Sequence, residues 1–262
     1  MVAIVFMVAG MSSRFKNGPK QFAKVGPNNK SLIEYSVNQA LKNGKFNKIY
    51  FITNFKTEYL FRNIFGDSYD GHDVIYIEQK YDRVKRIRPW GTTDALCSLI
   101  GIIDESFILL NGDQIYGEGT FKIGFNMMKE NKTNLIGGVR FLKSVPLQGK
   151  VNRGIIEVEN NKIQSIKEYL GISQELNPEL KEKICNVNFI GLQIDVLEKL
   201  NKILLKFKEE NYKDSKIECL LPDNLNELIQ KREIIMDYFE ITEEVLEITN
   251  PSDEKFVRDK LN

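Results

Sequence analysis

Four short, largely apolar runs, at residues 2–8, 48–53, 73–78 and 107–110, recur through the first part of the chain and are separated by segments of helical character. Such runs suit strands buried on both faces, as in a parallel sheet covered by helices on either side. Between them, residues 31–41 open with Ser31 and Glu34 at capping-box spacing, and 57–65 and 93–103 also suit helices. The resulting order is β-α-β-α-β-α-β, so the fold class is α/β. Right-handed crossovers would gather the loops that follow the strands along one sheet edge, where open α/β folds bind ligands. The search for chemistry therefore starts at the strand ends.

The second half is less regular. Residues 135–139 and 154–158 read as strands, and 162–167 alternates as a hairpin partner after Asn160 and Asn161, so a mixed sheet is expected. Helical patterns at 196–207 and 225–231 precede a strand-like 233–239, and Pro251 opens a final short helix. No Pro/Gly/Ser-rich or charge-rich stretch divides the 262 residues, which predicts a single domain.

A formal net charge of +1 offers no global excess to hold a nucleic acid or an anionic membrane, and neither is expected as a partner. The apolar start lacks a basic leader and is too short to span a bilayer, which favours a buried first strand. Cys97, Cys185 and Cys219 are widely spaced and form no CxxC pair, so neither a disulfide framework nor a zinc cluster is indicated, and a cytoplasmic location fits best. The basic stretch 80–88 is expected to be a solvated loop, with a phosphate contact as the alternative. The single histidine, His72, has no motif-like serine beside it, which leaves Ser-His-Asp chemistry without support.

Three segments suggest chemistry. After the first strand come Ala9-Gly10-Met11-Ser12-Ser13-Arg14 and then Gly18-Pro19-Lys20. Glycine allows backbone amides to approach a phosphate, the hydroxyls add donors, and Arg14 and Lys20 add positive charge. The pattern is neither GxGxxG nor GxxxxGKS. A second segment, Pro89-Trp90-Gly91-Thr92-Thr93-Asp94, offers a Gly-Thr turn that can approach a flat base, although helix capping alone, with Trp90 packed in the core, also explains it. The third is Asn111-Gly112-Asp113 at the end of an apolar strand, where a carboxylate can hold Mg²⁺ against triphosphate oxygens or serve as an ordinary turn aspartate.

Taken in order, these segments resemble the sugar-phosphate nucleotidylyltransferase (NDP-sugar pyrophosphorylase) family along nearly the whole chain. The resemblance implies a Rossmann-like nucleotide-diphospho-sugar transferase fold of three layers around a mixed, mostly parallel sheet. It also implies a nucleotide-binding half at about 1–133 and a sugar-phosphate-binding half at about 134–262. Ala9, Gly10, Ser12, Ser13 and Arg14 would then hold the triphosphate, Lys20 would neutralise the reacting phosphates, and Gln79, Gly91 and Thr92 would surround the base. Asp113 is the implied metal ligand. In the second half, Arg153-Gly154-Ile155-Ile156 and Ile166-Lys167-Glu168-Tyr169 resemble the sugar-side hairpin, which assigns Gly154 and Glu168 to the sugar. Where many relatives have Glu-Lys this chain has Glu168-Tyr169, leaving Lys20 and Arg153 as cations for the acceptor phosphate. Asn186 or Asn188 matches the next sugar contact, with Asn188 preferred. Glu247-Ile248-Thr249-Asn250-Pro251 resembles the motif that supplies a second metal ligand, here Glu247.

The implied activity is an Mg²⁺-dependent transfer of a nucleotidyl group from a nucleoside triphosphate, UTP before dTTP or CTP, to a sugar 1-phosphate. The alternatives are a phosphocholine or other alcohol-phosphate cytidylyltransferase, a nucleotide-sugar glycosyltransferase and an inactive nucleotide-binding regulatory domain. Against the glycosyltransferase, this chain has Asn111-Gly112-Asp113 where such enzymes often have Asp-x-Asp. Oligomeric state is not readable from the sequence.

Overall fold

The computed structural model describes residues 1–10, 18–250 and 253–261. The first half follows the anticipated order. Strands β1 (Val2–Met7), β4 (Lys48–Thr53), β6 (His72–Glu78) and β7 (Ser106–Asn111) form a parallel set, with α1 (Leu32–Asn43), α2 (Glu58–Phe65) and α3 (Thr92–Cys97) in the crossovers. A small hairpin of β2 (Lys24–Gly26) and β3 (Lys30–Ser31) precedes α1, and the short β5 (Ser68–Tyr69) pairs with β6 at the sheet edge. The capping box forms: the Ser31 hydroxyl accepts from the Glu34 amide at 3.3 Å, and the Glu34 carboxylate accepts from the Ser31 amide at 2.8 Å.

After β7 come β8 (Gln114–Ile115), α4 (Glu118–Asn131), β9 (Asn134–Arg140), α5 (Phe141–Ser144), β10 (Val151–Glu159), β11 (Lys162–Ile172) and β12 (Ile184–Leu192). The chain closes with α6 (Asp195–Glu210), α7 (Leu221–Gln230), β13 (Met236–Glu240), β14 (Leu246–Glu247) and α8 (Asp253–Leu261). The large sheet runs β10-β11-β13-β9-β12-β7-β1-β4-β6-β5, and β5, β11 and β12 oppose the direction of its other strands. It is thus mixed and mostly parallel in orientation. The β10–β11 hairpin turns on Asn160 (φ 50°) and Asn161 (φ 58°), the left-handed pair that a two-residue hairpin turn of right-handed twist requires.

Successive strand residues face opposite sides of the sheet, and each side is covered. Ile4, Phe6, Ile49, Phe51, Ile108 and Leu110 pack beneath α1, α2 and α4, while Ala3, Val5, Tyr50, Ile52, Phe107 and Leu109 pack beneath α3, α6 and α7. This gives three layers. Among the described residues no helix is long and apolar enough to cross a membrane.

Three local expectations need correction. The helix expected at 93–103 ends at Cys97, because the chain tightens into turns, with the Ser98 and Leu99 amides donating to the carbonyls of Ala95 and Leu96, and reaches Gly101 at φ 79°. Helix α4 was not anticipated, although Phe121, Phe125 and Met128 mark its buried face at helical spacing. The basic stretch 80–88 is not simply a solvated loop. Arg86 is buried, donates to the carbonyls of Arg88, Asp214 and Ile217, and stacks its guanidinium on Trp90 at 3.4 Å. Pro251, expected to open the last helix, lies outside the described residues.

Candidate active site

The strand order places a switch point between β1 and β7: the chain steps from β1 outwards to β4 and β6, then returns to the other side of β1 as β7. Ligands bind open α/β sheets at such points, beyond the carboxyl ends of the strands. Here the two strand-following loops touch directly. The Gly112 amide donates to the Met7 carbonyl at 3.3 Å, and a Cβ on Gly112 would meet Val8 at 2.3 Å, so a side chain there would push apart the loop ends that carry Asp113 and Ala9.

A cleft of about 630 Å³ opens at this point, and Ala9, Gly10, Lys20, Gln79, Gly91, Thr92 and Asp113 line it. The Asp113 carboxylate forms an ion pair with the Lys20 ammonium. Ser12, Ser13 and Arg14 lie outside the described residues. Gln79, at the end of β6, donates its amide to Gly91 O at 3.0 Å and to Asp94 Oδ2 at 2.8 Å. Gly91 has φ 103°, and an added Cβ would lie 2.6 Å from the Cys219 carbonyl oxygen.

The threonines after Gly91 do not cap α3 as expected. Gly91 itself is the N-cap, while the Thr92 hydroxyl accepts from the Leu221 amide at 2.8 Å and Thr93 accepts from the Asn224 amide group at 2.6 Å. They fasten α3 to α7. Trp90 buttresses the same region from outside the cleft, edge-on to Phe207 and under Arg86.

A second cavity of about 180 Å³ adjoins the first, sharing Met7, Thr92 and Asn111 as a common wall. Gly154, Glu168, Asn186 and Asn188 line it, together with Gln114, Asn152 and Arg153. Gly154 lies opposite Glu168 in the β10–β11 register, and a Cβ on Gly154 would sit 3.4 Å from Glu168 Oε2, so glycine leaves that carboxylate uncovered. Burial first, and Asp223 second, push the Glu168 carboxyl above its ordinary value, against the pull of Arg153. Asn188 sits in a bulge of β12 at φ 60°, its amide held by Asn186 Oδ1 at 2.9 Å. Both asparagines therefore belong to the chamber, one holding the backbone of the other.

The antiparallel pairing of β8 with β14 brings in Glu247, and the Ile248 amide donates to the Asp113 carbonyl at 3.2 Å. The Glu247 carboxylate accepts from Arg153 at 2.8 Å, from Gln114 at 2.8 Å and from Thr249 at 3.0 Å. Burial alone would raise its carboxyl, but the Arg153 guanidinium and these hydrogen bonds outweigh that and hold it below the ordinary carboxylate range. Fully buried Tyr116 joins the parts. Its hydroxyl lies 2.7 Å from Gln114 Oε1 and 3.2 Å from the Asn188 carbonyl, and burial keeps the phenol neutral.

Asn111, Gln114, Tyr116, Asn152 and Asp94 were not anticipated. The first three follow the apolar run of β7 closely enough for position alone to have flagged them. Asp94 could be found only through its spatial neighbours.

The described residues contain no cluster of three His, Cys, Asp or Glu side chains able to hold a metal ion. Two hard carboxylates, Asp113 and Glu247, come from segments joined by a backbone hydrogen bond. That donor set suits Mg²⁺, which takes one or two carboxylates and completes its shell with phosphates and water, and does not suit a structural zinc site.

The model of a family described as nucleotidyl transferase matches residues 6–169. The chain belongs to the nucleotidyl transferase family. A comparison with curated proteins finds no match. Solved structures similar in fold include an inositol-1-phosphate CTP transferase from T. maritima, 14% identical, covering 99% of this chain and 95% of that one at a TM-score of 0.68. A UDP-glucose pyrophosphorylase from Acinetobacter baumanii is 14% identical, with coverage of 98% and 92% and a TM-score of 0.71. A UDP-glucose pyrophosphorylase complexed with UDP-glucose is 18% identical, with coverage of 99% and 98% and a TM-score of 0.68. At these identities the likeness shows the fold, and the family match supports nucleotidyl transfer as the class of reaction.

Proposed function

We propose that this nucleotidyl transferase joins the nucleotidyl group of a nucleoside triphosphate, UTP in first place, to a sugar 1-phosphate and releases pyrophosphate. The observation that carries this reading is the shared wall of the two cavities. A cleft large enough for a nucleotide, lined by Ala9, Gly10, Lys20, Gln79, Gly91, Thr92 and Asp113, opens beside a smaller chamber with Gly154, Glu168 and Asn188. Two substrates in these places meet near Met7, Thr92 and Asn111.

In the reaction, an acceptor phosphate oxygen attacks the α-phosphorus in line. The new O–Pα bond forms as the bond to the pyrophosphate oxygen breaks, and pyrophosphate carries away the electron pair. A phosphate monoester has a second pKa near ~6 and is largely dianionic at neutral pH, so no general base is needed. The protein's task is positioning and charge stabilisation. Lys20 neutralises the reacting phosphates, and Arg14 is proposed to share that work. Arg153 stands where it can take the acceptor phosphate, the role left open by Tyr169. Asp113 and Glu247 would hold Mg²⁺, which when bound supplies positive charge against the triphosphate.

The chamber is lined by amides, a carboxylate, the Arg153 guanidinium, the Thr92 hydroxyl and aliphatic side chains, and no aromatic ring is among the described residues of its wall. Polar groups of this kind match the hydroxyls of a sugar, whereas a quaternary ammonium such as choline is typically held by aromatic faces. A panel of nucleoside triphosphates crossed with sugar 1-phosphates, inositol 1-phosphate and phosphocholine, scored by pyrophosphate release, tests the proposal. Release with UTP and a sugar 1-phosphate is the expected result. Silence across all pairs would sink nucleotidyl transfer, and release with phosphocholine alone would sink the sugar assignment.

Glu168→Gln separates binding from stability. Loss of a charged acceptor is expected to raise the acceptor KM roughly 10- to 100-fold. The raised carboxyl works in the opposite direction on the fold. Its contribution to stability is complete below the unfolded value of about 4.5 and is lost as pH rises through the higher folded value. Glutamine avoids that loss, so the variant should be more stable than the wild type at pH 7 but not at pH 4. Thermal melts at the two pH values, beside acceptor kinetics, check both halves.

A further inference from the structure

Gln79 is held in one amide orientation by groups that can only accept hydrogen bonds. Its Nε2 lies 3.0 Å from the Gly91 carbonyl oxygen and 2.8 Å from Asp94 Oδ2. A peptide carbonyl carries no proton to donate, and the other Asp94 oxygen receives the Lys208 ammonium. Turning the amide over would set Gln79 Oε1 against two oxygens and lose both bonds. Gln79 lines the cleft and its Oε1 has no partner among the described residues, so the group left for a ligand is an acceptor.

Asp94 and Lys208 do not line the cleft. They line a separate groove on the far side of Gln79, where Lys208 projects from α6 close to Trp90. They therefore do not touch a base in the cleft, and Gln79 is the cleft-lining side chain that Asp94 bonds. We infer that Asp94 and Lys208 are positioning residues that lock Gln79 as a hydrogen-bond acceptor and that its Oε1 faces ring position 3 of a bound pyrimidine, so that the site selects the N3–H of uracil or thymine. Cytosine presents a lone pair at N3 and is disfavoured there. The inference rests on the nucleotide reading proposed above.

Asp94→Asn is the direct test, because an asparagine amide can pair with Gln79 in either orientation and so releases the lock. The ratio of kcat/KM for UTP to that for CTP is expected to fall at least tenfold in Asp94→Asn. Lys208→Met, on the surface of a long helix, should lower the ratio by about threefold through weaker anchoring of Asp94. The same ratio is read independently from equilibrium binding of UTP and CTP by calorimetry, with a thermal melt of each variant. A change in stability alone would move both nucleotides together and leave the ratio intact. Ratios unchanged in both variants would overturn the inference, as would a wild-type protein that binds CTP more tightly than UTP and dTTP. Selective binding of UTP without turnover would retain the inference and refute the transfer reaction, whereas no binding of any triphosphate would refute both.

Discussion

Replacing Asp113 by alanine is expected to lower pyrophosphate release by about 10²- to 10³-fold while leaving the protein folded. The two parts of this expectation have different physical sources. In the fold, Asp113 is paired with Lys20, and both side chains retain 21% of their exposure. Ion pairs in such partly solvated positions contribute about 0–1 kcal/mol, so their loss shifts the melting temperature little. In the reaction, a carboxylate at the end of β7 would help to hold cationic charge against the triphosphate, where charge develops in the transition state and preorganised electrostatic stabilisation is far larger. The measurement is initial-rate pyrophosphate release across an Mg²⁺ titration, beside a thermal melt. Unchanged turnover in a normally folded variant would remove Asp113 from the active site.

Gly91→Ala is expected to cost the fold about 3 kcal/mol and to abolish tight nucleotide binding. Two effects coincide at this residue. Its φ of 103° is a conformation that L side chains rarely adopt, and a methyl group would approach backbone atoms of Cys219 at 2.6 Å and 2.8 Å. Those atoms cannot rotate away as a side chain end can. They belong to a clasp in which the Cys219 amide donates to Trp90 O at 2.6 Å and the Thr93 amide donates to Cys219 O at 3.1 Å. Opening the clasp would displace Gly91 O, one of the two acceptors that hold Gln79. For a chain of this size the cost corresponds to a fall in Tm of roughly 6–12 °C. A melt with and without nucleotide measures both effects. A variant with wild-type Tm and undiminished protection by UTP would show that neither the backbone geometry nor the clasp matters as argued.

Much of the parallel half, and the β10–β11 hairpin of the second half, was legible because the signals are local. Apolar runs of strand length, the Ser31–Glu34 capping box and the Asn160-Asn161 turn each act within a few residues, and each appears where it was expected. The end of α3 and the whole of α4 were less legible. Helix α3 stops in a series of turns that its apolar residues do not announce, and α4 spreads its buried aromatic residues among glycines and polar residues that weaken the pattern.

The candidate site divides in the same way. Lys20 and Asp113 could be named from residue type and position after a strand or turn, and Gly154 and Glu168 from the family resemblance of their segments. The long-range pairings could not. Arg153 pairs with Glu247, and Asp94 with Lys208, across separations of 94 and 114 residues. Burial of Arg86 against carbonyls of residues 214 and 217 likewise depends on where a distant segment passes. The linear order of strands, turns and charged side chains by itself determined the α/β class, the edge on which chemistry gathers and the residue types available there. Only the tertiary structure decided which carboxylate meets which cation and which face Gln79 turns to the cleft. Periodicity and turn chemistry act over a few residues, whereas a buried charge takes whatever partner the packed sheet brings within about 3 Å.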